Sequence, residues 1–343
     1  MDGVEMRSTI RLVVKALFIC SLFSVTLVSA QDKQDKQDSR DAKAINVAVA
    51  ANFAAPLKAY AEQFSRITGI EVNVTVASSG TLFAQIQHGA KFDVFLSADT
   101  ARPQALIDAG KVHQDNMYHY AQGQLAFVYA SDISEVIDAS QHKEESHREE
   151  PHKEEGTNLS NLVKQVTTTG SGKLAMANPL LAPYGEAAKN ALTHLDIWEE
   201  VRPSLVVGKN ILQAYQYFTT GGVKGAFVAY SLVNIDSKAN TSMPNIHVIR
   251  VPEAFYQPIT QALVINSNSK AVITPNVFNT LDTSDTKGVE HLTELTILPS
   301  HLFVQYLLSD AVQSSLPRWG YKRSVSAKAS SEKASSTKSS ETT

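Results

Sequence analysis

The stretch ASSGTLFAQIQHGAKFDVFLSAD, residues 77–99, alternates in type twice within 23 residues. The β-rich run 71–77 reads as a strand, Ser78-Ser79-Gly80 as a turn, 81–88 as a helix stopped at Gly89, and 93–97 as a second strand. Strands and helices that alternate at this interval argue for an α/β fold. The turn itself carries chemistry. Two hydroxyls and a glycine where a strand feeds a helix supply hydrogen-bond donors and let backbone approach a ligand closely.

The segment VAVAANFAAP, residues 47–56, repeats the arrangement upstream. Pro56 has no amide hydrogen and is tolerated only in the first turn of a helix, so the helix must begin just after Asn52. Helix starts leave amides unpaired and carry the positive end of the helix dipole, which favours anions. Either segment alone is the ordinary cap of a helix. Two of them with no cationic side chain between point to an anion held by neutral donors, unlike a phosphate site built on Arg or Lys.

The same alternation continues outward. Strands are expected at 45–50, 124–130, 173–177, 225–230, 246–251 and 259–265, and helices at 55–67, 102–109, 184–195, 209–218 and 300–315. In the helix at 55–67, Leu57, Tyr60, Phe64 and Ile67 recur at three- and four-residue spacing and form one buried stripe. No G-x-S-x-G, H-E-x-x-H or G-x-G-x-x-G occurs, and TGSGK at 169–173 lacks the upstream glycine and the Ser or Thr after lysine of a P-loop. Nothing here supports an enzyme.

Flanking the body are segments of another character. Arg7, Arg11 and Lys15 precede an uncharged run from Ala16 to Ala30 that closes on Val28-Ser29-Ala30, which is an export signal, residues 1–30. The single cysteine, Cys20, lies inside it after Ile19, where lipidation needs a small residue, so the exported protein has no thiol chemistry. Residues 31–44 repeat Gln-Asp-Lys and read as a disordered linker, and 324–343 as a disordered tail of Ser, Lys, Ala and Thr. Net charge is −3, which shows no basic excess for nucleic acid. An insertion at 142–156 spells HKEES-HREEP-HKEEG. Its His142, His147 and His152 stand five apart, about 140° round a helix, so a helix does not align them on a metal, and a solvated charged loop is the reading.

With ANPLLAPYGEAAKNAL (177–192), GKNILQAY (208–215) and GAFVAYS (225–231) added to the two segments above, the chain resembles the periplasmic molybdate-binding proteins over about 45–323. The resemblance implies a two-lobed periplasmic binding protein of type II topology with its ligand in the inter-lobe cleft. Lobe 1 is expected from 45–122 plus 252–323 and lobe 2 from 123–251, with crossings near 121–124 and 249–255. It implies oxyanion contacts at Asn52, Ser79, Tyr184 and Ile211, the last by its main-chain amide, with Ala51 and Tyr230 as additional positions. Some members use a tyrosine where Val228 stands here, and Tyr184 is expected to supply that hydroxyl instead. The implied role is the periplasmic component of a molybdate or tungstate ABC importer. It would act as a monomer, with a membrane permease and its ATPase as partners, the oxyanion as cargo and no cofactor. A receptor for sulfate or another oxyanion is the alternative, and a metal-chelating protein acting through the histidine repeat is a more distant one.

Mass spectrometry of the exported protein should give an N-terminus at or next to Gln31; an acylated Cys20 would overturn the export reading.

Overall fold

The computed structural model describes residues 44–130, 151–169, 172–238, 246–270, 278 and 297–323. The export signal, nearly all of the linker, residues 142–150 of the repeat, most of the stretch 278–295 and the tail lie outside the described residues. Among the described residues no helix is long and apolar enough to cross a membrane.

Among the described residues ten strands form two five-stranded sheets. The first has the order β2-β1-β3-β10-β4, from Glu71–Ala77, Ala44–Ala50, Val94–Ser97, Ile259–Ile265 and Met117–Gly123. In it β1 runs parallel to β3, and β10 lies antiparallel to both β3 and β4. The second has the order β7-β6-β8-β5-β9, from Leu205–Gly208, Leu174–Ala177, Gly225–Ala229, Leu125–Ala130 and Ile246–Arg250. Here β6 is parallel to β7 and β8, and β5 is antiparallel to β8 and β9. The chain changes sheet at Gln124, between β4 and β5, and again over 251–258, between β9 and β10. Each sheet is the core of one lobe, and the fold is the two-lobed type II architecture.

The inner strands are mostly apolar because helices cover both faces of each sheet, with Ser97 of β3 and Gln261 of β10 as buried polar exceptions. Val94, Phe95 and Leu96 of β3 are fully buried, as are Ala226, Phe227 and Val228 of β8. Helix α1, Ala54–Thr68, lays Leu57, Tyr60, Ala61 and Phe64 on the first sheet and ends at Gly69, whose φ of 69° is open to glycine at no steric cost. Burying Leu57 and Phe64 contributes about 1.5–3 kcal/mol each. Helices α2, Ser79–Gln87, and α3, Ala101–Asp108, cover the opposite face through Leu82, Ile86 and Leu106.

Several elements differ from the sequence expectation. Strands β4 and β7 went unread, as did α4, Pro151–Thr168, which carries the last copy of the charged repeat on its first turns. That copy is therefore helical backbone, not loop. Gly156 of α4 lies against Phe255 and Leu195, where the absent side chain allows close approach. Beyond it Leu159, Leu162, Val163 and Val166 are buried in the second lobe. The helix expected at 300–315 is two, α9 Pro299–Leu307 and α10 Asp310–Ser315, because Ser309 caps the second by accepting from the Val312 amide.

Removing residues 142–150 should leave the thermal midpoint nearly unchanged, whereas Leu159→Ala should cost about 2–5 kcal/mol in denaturant titration through the cavity it leaves. Equal destabilisation by the two changes would show that the repeat is part of the core.

Candidate functional site

One small cleft gathers the starts of four helices, two from each lobe. Its lining is Ala50, Ala51, Asn52, Ser78, Ser79, Ala98, Ala182, Pro183, Tyr184, Asn210 and Ile211. From the first lobe come the short turn Ala51–Phe53 leading into α1, and the start of α2. From the second come α5, Pro183–His194, and, after the short α6 at Trp198–Val201, α7 at Ile211–Thr219. The void between them is about 10 Å³, room for about one water, so the walls nearly meet. No lining side chain is charged.

Each contributor is held in place by local chemistry. Ser78 caps α2, its Oγ accepting from the Thr81 amide at 3.2 Å, which leaves Ser79 as the first helical residue. Ser79 Oγ accepts from the Ala98 amide at 2.9 Å. With that lone pair occupied, the Ser79 proton is free to donate. Asn210 caps α7 by accepting from the Gln213 amide through Oδ1 at 2.9 Å, and so turns the Ile211 amide toward the cleft. Pro183 occupies the first turn of α5, where its missing N–H costs no helical bond.

Tyr184 follows at the second position of α5 and is 1 % exposed. Its Oη accepts from Gln261 Nε2 at 3.3 Å, and Gly123, at the sheet crossing, lies so close that any Cβ there would collide with it. Burial first, and the neighbouring phenols of Tyr321, Tyr120 and Tyr256 after it, push the Tyr184 phenol well above its ordinary range. The hydroxyl therefore keeps its proton, and its capacity to donate, throughout the physiological pH range.

Asn52 lines the cleft, but its side chain is not a donor into it. Asn52 Nδ2 donates to Gln261 Oε1 at 2.9 Å and to Tyr321 Oη at 3.1 Å, which uses both of its hydrogens. Tyr321 Oη donates in turn to the Asn52 carbonyl at 2.6 Å, and Ser231 Oγ to the same carbonyl at 3.4 Å. Phe53, edge-on to Tyr120 and Tyr321 at 4.9 and 5.1 Å, wedges the turn in place. What this turn offers the cleft is main-chain N–H, from Ala51 to Phe53, at a helix start.

Of the sequence candidates, Ala51, Asn52, Ser79, Tyr184 and Ile211 stand together in the cleft. Tyr230 does not. Strand β8, expected at 225–230, ends at Ala229, and Tyr230 opens helix α8, Tyr230–Lys238. The Arg250 guanidinium lies over its ring at 5.5 Å. Two residues were missed. Asn210 was legible as an N-cap before the ILQAY helix, and its Nδ2 makes no hydrogen bond among the described residues. Gln261 carried no signal, because a polar residue in a buried strand acquires its meaning only from its neighbours.

The lobes are joined at the cleft mouth. The Gly80 amide donates to the Leu181 carbonyl at 2.8 Å, and Arg102, whose Nη1 is ion-paired with Asp99, donates from Nη2 to the Leu180 carbonyl at 3.0 Å. A Cβ on Gly80 would stand 2.9 Å from the Leu181 oxygen. Among the described residues no group of three or more His, Cys, Asp or Glu side chains is placed to hold a metal ion.

Gly80→Ala should keep the helical content but hold the lobes apart, read as a larger radius of gyration in small-angle scattering. An unchanged scattering curve would show that this contact does not govern closure.

Comparison with known proteins agrees with this architecture. Residues 45–275 match the model of the bacterial extracellular solute-binding proteins. The molybdate-binding protein ModA of Rhodobacter capsulatus is 34 % identical over 218 residues, 64 % of this chain and 74 % of that protein. ModA of Azotobacter vinelandii is 33 % identical over 231 residues, 66 % of this chain and 79 % of that protein. The solved periplasmic molybdate-binding protein of Azotobacter vinelandii superposes with a TM-score of 0.57 at 23 % identity, covering 81 % of this chain and 98 % of that one. The sulfate-binding protein SubI of Mycobacterium tuberculosis H37Rv gives 0.50 at 11 % identity, covering 81 % and 86 %, a likeness of fold alone. Two lobes, a closed cleft of neutral donors and this degree of identity have one conclusion: the chain belongs to the bacterial extracellular solute-binding proteins, in the family of these molybdate-binding relatives.

Proposed function

We propose that this protein captures a tetrahedral oxyanion, molybdate first and tungstate with it, outside the cytoplasmic membrane and delivers it to the permease and ATPase of an ABC importer. The observation that carries the reading is the meeting of four helix starts in a cleft with no charged side chain. An anion there receives hydrogen bonds from main-chain amides and from hydroxyls whose oxygens are already fed by other N–H groups. Each helix terminus adds roughly 0.3–1 kcal/mol when exposed and more when partly buried. Such donors need no counter-ion and no proton transfer, so the ligand is cargo, bound and released unchanged.

The donor set we assign is Ser79 through its hydroxyl, Tyr184 through its hydroxyl and amide, Ile211 through its amide, the amides of the Ala51–Phe53 turn, and Asn210 through Nδ2. The 33–34 % identity to two molybdate-binding proteins favours molybdate over the other tetrahedral anions. Sulfate is the second reading, because the fold is shared with a sulfate-binding protein and the donors suit either anion.

Calorimetric titration with molybdate, tungstate and sulfate separates the two. Molybdate and tungstate should bind in preference to sulfate, and Ser79→Ala should weaken molybdate binding by about 1–3 kcal/mol by leaving one oxyanion acceptor without its donor. Tighter binding of sulfate would replace the first reading by the second. Ser79→Ala without effect would remove that hydroxyl from the donor set.

A further inference from the structure

Gln261 lies on β10 opposite Ala121 of β4, where the register of the two strands slips and Tyr120 is left without a partner. A bulge re-aims a side chain, and here it brings the Tyr120 hydroxyl onto Gln261, donating to Oε1 at 2.8 Å. The same Oε1 accepts from Asn52 Nδ2. Gln261 is fully buried, so its amide must satisfy these groups without help from solvent. Its oxygen faces two donors, which leaves its nitrogen facing Tyr184 Oη. The reversed amide would set N–H against the Asn52 N–H.

We propose that Gln261 is a positioning residue of the binding site, one that fixes the Tyr184 hydroxyl as a donor toward the cleft; this rests on the reading of the cleft as an oxyanion site. The amide N–H occupies one side of the Tyr184 oxygen and the Gly123 backbone crowds another. Among the described residues the hydroxyl makes no hydrogen bond as a donor, so its proton is directed away from the amide and is available to the ligand. Gln261 stands on the first lobe and Tyr184 on the second, and the bond between them forms across the lobes. Closing the cleft and setting the polarity of its phenol are thereby one event.

The test is a pair of double-mutant cycles. Molybdate is titrated into the wild type, Gln261→Met, Tyr184→Phe and their combination, and into Ser79→Ala with and without Gln261→Met. Gln261→Met and Tyr184→Phe should each weaken binding about five- to hundredfold, the cost of one donor lost in a dry site. Combined, they should be no worse than Tyr184→Phe alone, whereas the losses from Gln261→Met and Ser79→Ala should multiply. Losses that multiply in both cycles would overturn the proposal, because Gln261 would then act on the fold and not through Tyr184. Should Gln261→Met melt without cooperativity, Gln261→Glu carries the same cycles. It keeps the shape but accepts where the amide donated, so its penalty should shrink in the Tyr184→Phe background. A readout without ligand completes the test: in protein labelled at the tyrosine ring carbon that bears the hydroxyl, the Tyr184 resonance should move in Gln261→Met. A moved resonance with no molybdate binding by the wild type sinks the proposed function and keeps the positioning role; an unmoved one sinks the positioning role.

Discussion

Four helix starts facing one another in a closed space are the constraint around which this molecule is built. Each carries unpaired amides and about half a positive charge from its dipole, so bringing the four together sets like against like. No carboxylate lines the cleft to neutralise them. An anion between them would receive hydrogen bonds from all four. The two pairs of helix starts are split between the two sheets.

Rigidity on each side comes from ordinary burial. The first lobe anchors its pair through Phe53, Leu57 and Phe64 on one face of its sheet and Leu82 on the other. The second anchors its pair through Ala187, Ala188, Ala191, Ile211 and Ala214, small and branched side chains that let α5 and α7 lie close to β6 and β8. Among the described residues the bonds between the lobes are polar and include Gly80 to Leu181, Arg102 to Leu180, Gln261 to Tyr184, Ser231 to Asn52 and Asn234 to Arg318. A few net hydrogen bonds of about 0.5–1.5 kcal/mol each hold the lobes together without making closure irreversible, which a protein that must release its cargo requires.

The division between what was legible and what was not follows from the range of the interactions. The strand-to-helix turns at 50–56 and 77–82 could be read because their grammar is local: a proline confined to the first turn, a glycine at a close approach, hydroxyls at a cap. Ser79 was read in the turn before a helix and opens that helix, whereas Ile211, which opens α7, was named only through the family resemblance. Strand β4 was missed because MYHYAQG mixes polar and apolar residues around a bulge, so the period of two is broken. The strand expected at 225–230 ends at Ala229, and Tyr230 opens a helix instead.

Asn52 marks the boundary most sharply. Its position at the cleft followed from sequence, since Pro56 dictates where the helix begins. Its role did not, because the direction of an amide is decided by the partners it meets, and those partners, Gln261 and Tyr321, stand 209 and 269 residues away. Sequence by itself determined the α/β class, the helix starts and the absence of charge at two of them, since each depends on residues within one turn of one another. Tertiary structure alone decided which helix starts meet, that the Asn52 amide turns inward and that a buried glutamine aims a phenol, because each depends on groups brought together from distant parts of the chain.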